Sequence, residues 1–287
     1  PQMIDKLFLS VGAMKSGTTW LYDKVRHHPG IHFSPQKEVH FFAFHYGHSN
    51  ALAGKKRDRR AKQAMRLARG EKAATKTLQR LRRWRASYLS DPVDFNWFET
   101  IMDAPQANGR FLADFSNLNC FLTPDNWRDL RDKHAREIRV IYILRDPLPR
   151  IWSHFKYHLQ FSKHPAAREP EKDFDLFRTV LAKGWFWRNA CYSTTVQSLR
   201  AGLGTGNFGL FYFEDMIASP EQFLAELFRF LEIEPVVYHG DLHGRKNIST
   251  PASIPPDWAD YTRARLHEEM LSMRAAGIWH EKWSSLA

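Results

Sequence analysis

At 287 residues, with 43% hydrophobic, 14% aromatic and 25% charged side chains, the chain can bury one substantial core, and its composition excludes a collagen-like or wholly disordered polymer. It holds no run of about 18 apolar residues, and its start, PQMIDKLFLSVGAMK, lacks the regions of a signal peptide; Cys120 and Cys191 lack zinc-ligand spacing, so a soluble, cytoplasmic protein in a reducing compartment is expected. The net charge of +11 is local: from Lys55 to Arg85, 14 Lys or Arg stand against Asp58 and Glu71, and the remainder is close to neutral, unlike a protein that spreads basic surface over its fold to coat nucleic acid.

The first strong pattern is the apolar run LFLSVG at 7–12. The small, polar AMKSGTT follows, then TTWLYDKVRHH, a helical pattern stopped by Pro29 and Gly30, which reads strand, loop, helix. A β segment is expected after that helix. Over 55–88, Met65 and Ala68, then Leu78, Leu81, Trp84 and Tyr88, recur at helical spacing around Gly70, which predicts a helical hairpin inserted over about 50–90. RFLADF at 110–115 predicts a strand and 124–135 a helix. IRVIYIL at 138–144 is a β-branched run suited to a buried parallel strand, and it passes through Arg145, Asp146 and Pro147 into an aromatic-rich helix near 148–161, with Pro147 fitted to the first turn. Helices near 174–182, 191–202, 220–231 and 257–274, a strand at 208–213 (FGLFYF) and a polar loop from His239 to Pro256 complete the pattern. The alternation predicts an α/β fold, its parallel sheet flanked by helices on both faces.

Two segments carry anion-binding chemistry. In GAMKSGTTW, Gly12 and Gly17 allow the backbone to turn tightly and approach an anion, the following helix offers unpaired amides, and Lys15, Ser16, Thr18 and Thr19 add donors. The lysine precedes the second glycine, whereas the P-loop string GxxxxGK(S/T) has it after, so a nucleoside triphosphatase is not the best reading. Arg145 lies at the carboxyl end of a predicted central strand, the edge where open α/β sheets bind ligands. Arg150 and Ser153, three apart on the next helix, share a face, and arginine suits forked phosphate recognition. The bland alternatives are an ordinary strand-to-helix turn and an Arg–Asp pair at a helix start.

GAMKSGTTW resembles the 5′-phosphosulfate loop, and RDPLPRIWSHF at 145–155 the 3′-phosphate motif, of sulfotransferases that use 3′-phosphoadenosine 5′-phosphosulfate (PAPS). PQKEVHFF at 35–42 is similar to the KExHFF string of carbohydrate-type members, and FYFEDM at 211–216 to the family's YED element. The resemblance implies a single α/β domain of P-loop-like sulfotransferase fold over 1–287 with a basic helical insertion at 50–90, PAPS as donor, and no metal. By residue, it implies Lys15 at the oxygen bridging phosphate and sulfate, Ser16, Gly17, Thr18 and Thr19 around the 5′-phosphate, and Trp20 on adenine. It further implies Arg145 and Ser153 on the 3′-phosphate, Tyr192 near adenine, and Arg245 with Lys246 closing over the 3′-phosphate, although Asn247 stands where the family carries glycine.

Two residues compete for the base. Glu38 matches the glutamate of KExHFF, which serves as base in the carbohydrate-type relatives; His40 belongs to a residue type that titrates near 6.5. Asp114 and Ser116 stand where relatives often carry an acid followed by Thr-Pro, which implies a place in the acceptor cleft, and the alternative for Asp114 is a strand-end residue that accepts backbone hydrogen bonds. His40, His45 and His48, and the pair His154 and His158, lack a carboxylate that would complete a ligand set.

The expected activity is transfer of the sulfuryl group from PAPS to a hydroxyl, with an amine as second choice, of a small-molecule, glycan or carrier-bound acceptor. The field of 55–85 would attract an acidic acceptor. The competing readings are a magnesium- and ATP-dependent P-loop-like kinase and a module that binds polyanions through 55–85; for that segment itself, a merely solvated charged face is the plain alternative. No nucleic-acid partner is expected.

Overall fold

The computed structural model describes residues 3–70, 75–238, 241–244 and 253–283. Strand β1 (Ile4–Ser10) leads to α1 (Thr18–Val25) and the short β2 (Ile31–Phe33). Four helices, α2 (Phe41–His45), α3 (Gly54–Gly70), α4 (Thr75–Tyr88) and α5 (Phe95–Met102), precede β3 (Phe111–Asp114). After α6 (Pro124–Asp129) and a π-helical turn, Leu130–His134, comes β4 (Ala135–Leu144) and then α7 (Pro147–Phe161). The chain continues through α8 (Phe174–Leu181), α9 (Gly184–Trp187), α10 (Tyr192–Leu203), β5 (Phe208–Tyr212), α11 (Phe213–Ala218), α12 (Pro220–Leu231) and α13 (Pro256–Ala275).

The strands form a central five-stranded parallel sheet in the order β2-β3-β1-β4-β5, flanked by helices in one α/β domain. In the pairing, Leu7 stands beside Leu112 on one side and Ile138 on the other, and Ile31 beside Phe111. From Leu7 to Ser10 every residue of β1 is buried, as a strand covered on both faces requires. Contacts divide the residues into two compact units. One holds residues up to Val11, Leu21–Ile141 and Leu199–Gly209; the other holds Gly12–Trp20, Tyr142–Ser198 and Leu210 onward.

In the first unit Phe8 meets Phe115 edge-on at 5.3 Å, and Phe33 meets Phe115 at 5.1 Å. The basic stretch forms two helices; of the stripe expected on the first, the Ala68 side chain lies outside the described residues. Met65 is only half-buried, whereas Arg57, Ala61 and Ala64 face inward. Alanines permit close approach, and Arg57 is enclosed because it donates to the carbonyls of Ser90 (3.0 Å) and Leu89 (3.3 Å) and to Asp91 (3.0 Å). A charged residue can thus belong to a buried face when its donors are taken up. On α4, Leu81, Trp84 and Tyr88 of the expected stripe are buried, with Trp84 stacked on Tyr88 at 4.6 Å, and Leu78 is half-buried.

In the second unit Trp152, Phe155, Phe177 and Trp258 form the core, with Phe155 and Phe177 at 5.0 Å and Phe177 and Trp258 at 5.2 Å. The predicted helix at 124–135 ends as an α-helix at Asp129, and the strand that follows begins at Ala135, three residues before the expected start. Among the described residues no helix is long and apolar enough to cross a membrane.

Candidate active site

The loop after β1 begins where its backbone is tied to β4: Ala13 N–H donates to the Ile143 carbonyl at 2.8 Å, and Ile143 N–H to the Gly12 carbonyl at 2.8 Å. Two turns of left-handed backbone follow, at Lys15 (φ 71°) and Gly17 (φ 84°). For lysine this conformation costs about 1–2 kcal/mol, and such strain is concentrated at functional positions. Its Nζ lies 4.8 Å from the centre of the Tyr157 ring on α7, and its carbonyl accepts from Arg145 Nη1 at 2.9 Å. Ser16 is wholly buried and its hydroxyl has no hydrogen-bond partner. Thr18 and Thr19 form the first turn of α1, where backbone amides lack intrahelical acceptors.

Gly17 (φ 84°) is a position that favours glycine. A Cβ would lie 2.0 Å from Met216 Cε and 3.1 Å from the Phe213 ring, and an L-residue at this φ is strained besides. Gly17→Ala is therefore expected to lower the melting temperature by several degrees and to weaken binding of an anionic ligand by the loop; scanning calorimetry and a ligand titration check both effects.

The segment after β4 is equally well fixed. Asp146 N–H donates to Glu214 Oε1 at 2.9 Å, so the glutamate of FYFEDM holds the turn that starts α7. Asp146 caps that helix, and Pro147 occupies its first turn. The Arg145 guanidinium sits 4.4 Å over the Phe213 ring, and burial pulls its pKa down. Tyr192 is fully buried and donates its hydroxyl proton to the Arg145 carbonyl at 2.9 Å; burial pushes its phenol up to about 12. Ser153, one turn beyond Arg150, is buried as well.

Arg150 stands out on the same face. It is 0% exposed, and Nε, Nη1 and Nη2 all lack hydrogen-bond partners; the described aromatic contact is the Tyr192 ring, 5.7 Å from Cζ. An enclosed guanidinium with five unused donors is costly unless an anion meets it. In the sequence Arg150 shares the face of Ser153 within the second anion-binding segment, and this spacing is its signal, whereas the family resemblance places Arg145 and Ser153, not Arg150, on the 3′-phosphate. His154, stacked on Phe186 at 4.2 Å, is driven well below the ordinary imidazole value by burial first and then by Arg150, His158 and Lys15.

Of the remaining donor-site expectations, Trp20 is buried, its indole N–H donates to the Leu242 carbonyl at 3.1 Å, and its ring meets Phe223 edge-on. It ties the 241–244 stretch to α1. Arg245 and Lys246 lie outside the described residues.

In the first unit, Glu38 is the hub of a polar cluster. Oε2 lies 3.2 Å from His40 Nε2, and Oε1 lies 3.3 Å from Asn117 Nδ2 and 3.5 Å from Lys37 Nζ. The Glu38 carbonyl accepts from Arg60 Nη2 at 2.9 Å, so the basic hairpin reaches this cluster directly. Burial alone would raise the carboxyl, but the His40 hydrogen bond and the charges of Lys37, His40 and Arg60 prevail and bring it to about 2. Burial in turn lowers Lys37.

Asp114 and Ser116 serve this cluster by bracing its backbone. Asp114 Oδ1 accepts from Val39 N–H at 2.9 Å and from the Ser116 hydroxyl at 2.6 Å, and Ser116 Oγ accepts from His40 N–H at 2.8 Å. These bonds hold His40 at φ 63°. Burial raises the Asp114 carboxyl. His45 stacks on Phe41, His48 pairs with Asn126, and the described residues contain no group of three or more His, Cys, Asp or Glu placed to hold a metal.

Comparison with known proteins decides the family, because the sulfotransferase family profile matches residues 8–236. The chain belongs to the sulfotransferase family. Similar solved structures include a sulfotransferase from Alicyclobacillus acidocaldarius, at 19% identity over 97% of this chain and 98% of that one with a TM-score of 0.64. The sulfotransferase domain of the Synechococcus PCC 7002 olefin synthase is 17% identical over 98% and 97%, with a TM-score of 0.56. The sulfotransferase domain from the curacin biosynthetic pathway is 15% identical over 98% and 93%, with a TM-score of 0.51. At these identities the structures establish a shared fold. No curated protein sequence matches the chain.

Proposed function

We propose that this sulfotransferase uses PAPS and moves its sulfuryl group to a hydroxyl of the acceptor, releasing adenosine 3′,5′-bisphosphate. The reading rests on one observation: Arg145 Nη1 donates to the Lys15 carbonyl at 2.9 Å, so two segments built for anions adjoin within one unit. A donor with phosphate groups at two positions fits that pairing. The unpartnered Ser16 hydroxyl and Arg150 guanidinium supply unused donors in the same two segments.

PAPS contributes a sulfuryl group attached to a phosphate leaving group; during transfer the S–O bond to that phosphate breaks as the acceptor oxygen bonds to sulfur. In this reading Lys15 offsets the charge that builds on the departing phosphate. Ser16, Gly17, Thr18 and Thr19 hold the 5′-phosphate, while Arg145, Arg150 and Ser153 hold the 3′-phosphate, with Tyr192 fixing the Arg145 backbone. Glu38 takes the acceptor proton. The positive charge that the reaction needs is available from side chains, so no metal is required of the mechanism. The basic insertion over 50–90 contributes Arg60 to the surroundings of the base.

Calorimetric titration with adenosine 3′,5′-bisphosphate is expected to give tight binding that is unchanged by removal of magnesium, with ATP at least about a hundredfold weaker because it lacks the 3′-phosphate and its fork of hydrogen bonds. Magnesium-dependent preference for ATP would transfer the assignment to a kinase.

A further inference from the structure

The charge of the hairpin does not all point into open solvent. Arg80 and Arg83 on α4, Arg110 just ahead of β3 and His32 on β2 line a cavity of about 600 Å³, together with Trp84 and Asp103. That volume lies within the range of small-ligand sites, about 300–1,000 Å³. Among the described residues lining it, Asp103 is the sole acid against three arginines.

The arginines keep most of their charge available. Arg80 Nη2 lies 3.6 Å from Asp103 Oδ2, with the two side chains 51% and 46% exposed; a half-exposed pair of that kind is weak and exchanges easily for another anion. Arg110 is oriented by neutral groups: Nε donates to the Ala107 carbonyl at 2.7 Å and Nη2 to the Gln106 carbonyl. Arg83 is exposed. The field registers on His32, whose Nε2 meets the Met102 carbonyl at 2.8 Å and whose imidazole is lowered by burial first and then by Arg110 and Arg80. Two arginines one turn apart on a helix and a third held by backbone carbonyls converge on a space where Asp103 is the one acid among the described lining residues.

We propose that this cavity is an oxyanion-binding site for a sulfate or phosphate group, distinct from the site of the donor. It stands apart from the PAPS reading, since all of its lining belongs to the first unit and none of it to the loop at 12–20 or the helix at 147–161. Arg110 precedes the first residue of β3 and Asp114 is its last, roughly 13 Å further along the strand, while Pro35, which also lines the cavity, stands three residues before Glu38. The oxyanion is either free in solution or carried by an elongated acidic molecule, and arginine forks read both alike.

The test is calorimetric titration of the full chain at fixed ionic strength with sodium sulfate and, separately, with a heparin-derived hexasaccharide. Wild type, Arg80→Gln/Arg83→Gln, and the charge-matched Lys55→Gln/Arg59→Gln are compared, with adenosine 3′,5′-bisphosphate titrated into each as a measure of intact fold. The expected result is at least about tenfold weaker binding in the Arg80/Arg83 variant alone, with bisphosphate binding equal in all three proteins. Loss confined to the hexasaccharide supports an anion carried by a larger molecule, and parallel loss for both probes supports recognition of the group itself. Equal weakening in the Lys55/Arg59 variant, unchanged binding in the Arg80/Arg83 variant, or failure of both probes to bind wild type would overturn the proposal.

Discussion

Arg150→Met is expected to make the unliganded protein more stable and, at the same time, nearly unable to bind adenosine 3′,5′-bisphosphate. The guanidinium is 0% exposed and none of its three nitrogens has a hydrogen-bond partner. Burying an ion costs several kcal/mol even after relaxation, and exchange for a well-packed apolar side chain of similar volume is often neutral or stabilising by about 1–4 kcal/mol. The contact with the Tyr192 ring at 5.7 Å returns only about 0.5–2 kcal/mol. A gain of a few degrees in melting temperature follows for a chain of this size. On the binding side, hydrogen bonds to a charged group contribute about 1.5–3 kcal/mol each, so loss of a two-bond fork predicts an affinity lower by about two to four orders of magnitude. Arg150→Lys keeps the charge and loses the fork, and is expected to fall between the two. Calorimetric unfolding and bisphosphate titration measure the two effects separately. A fall in melting temperature with unchanged affinity would make Arg150 a structural cation and remove it from the donor site.

The parts of the fold that could be read from sequence are those where local chemistry is punctuated. LFLSVG followed by small and polar residues, and IRVIYIL followed by Arg145, Asp146 and Pro147, announce strand, turn and helix through apolar runs, glycine and proline. Helix α2 is different: FFAFH is nearly uniform in hydrophobicity, so no period distinguishes helix from strand. Helix α3 hides its inner face because alanine and an arginine whose donors are satisfied do not register as an apolar stripe. The bracing of His40 by Ser116, across 76 residues, and the link from Arg60 to the Glu38 carbonyl, across 22, depend on tertiary geometry that no local pattern carries. Arg150 shows the same boundary. Its spacing from Ser153 is plain in the string, but its isolation depends on the burial of the whole face and on Tyr192, which arrives from another helix.

Glu38→Gln and Lys15→Ala are expected to separate the two halves of the chemistry. Lys15→Ala removes the cation proposed to face the leaving phosphate and should lower kcat by about 10²–10³. Glu38→Gln keeps the size and the Asn117 contact but cannot accept a proton, and should lower kcat by about 10²–10⁴ while leaving bisphosphate affinity within a few-fold. Single-turnover release of bisphosphate from PAPS, with an acceptor chosen by labelled-donor screening, provides the readout. The pH profile adds a sharper division. A Glu38 carboxyl held at about 2 by His40, Lys37 and Arg60 is ionised throughout the physiological range, so a base of this kind gives a rate that is flat from about pH 5 to 8. Because its folded value lies below the ordinary carboxylate value of 4.5, the stability that it contributes is complete above that value and is lost as pH falls toward 2. Full activity of Glu38→Gln would move the base to His40. In that case Glu38 would act as the residue that orients the ring through Oε2 and Nε2, 3.2 Å apart, and Glu38→Gln would spare the maximum rate.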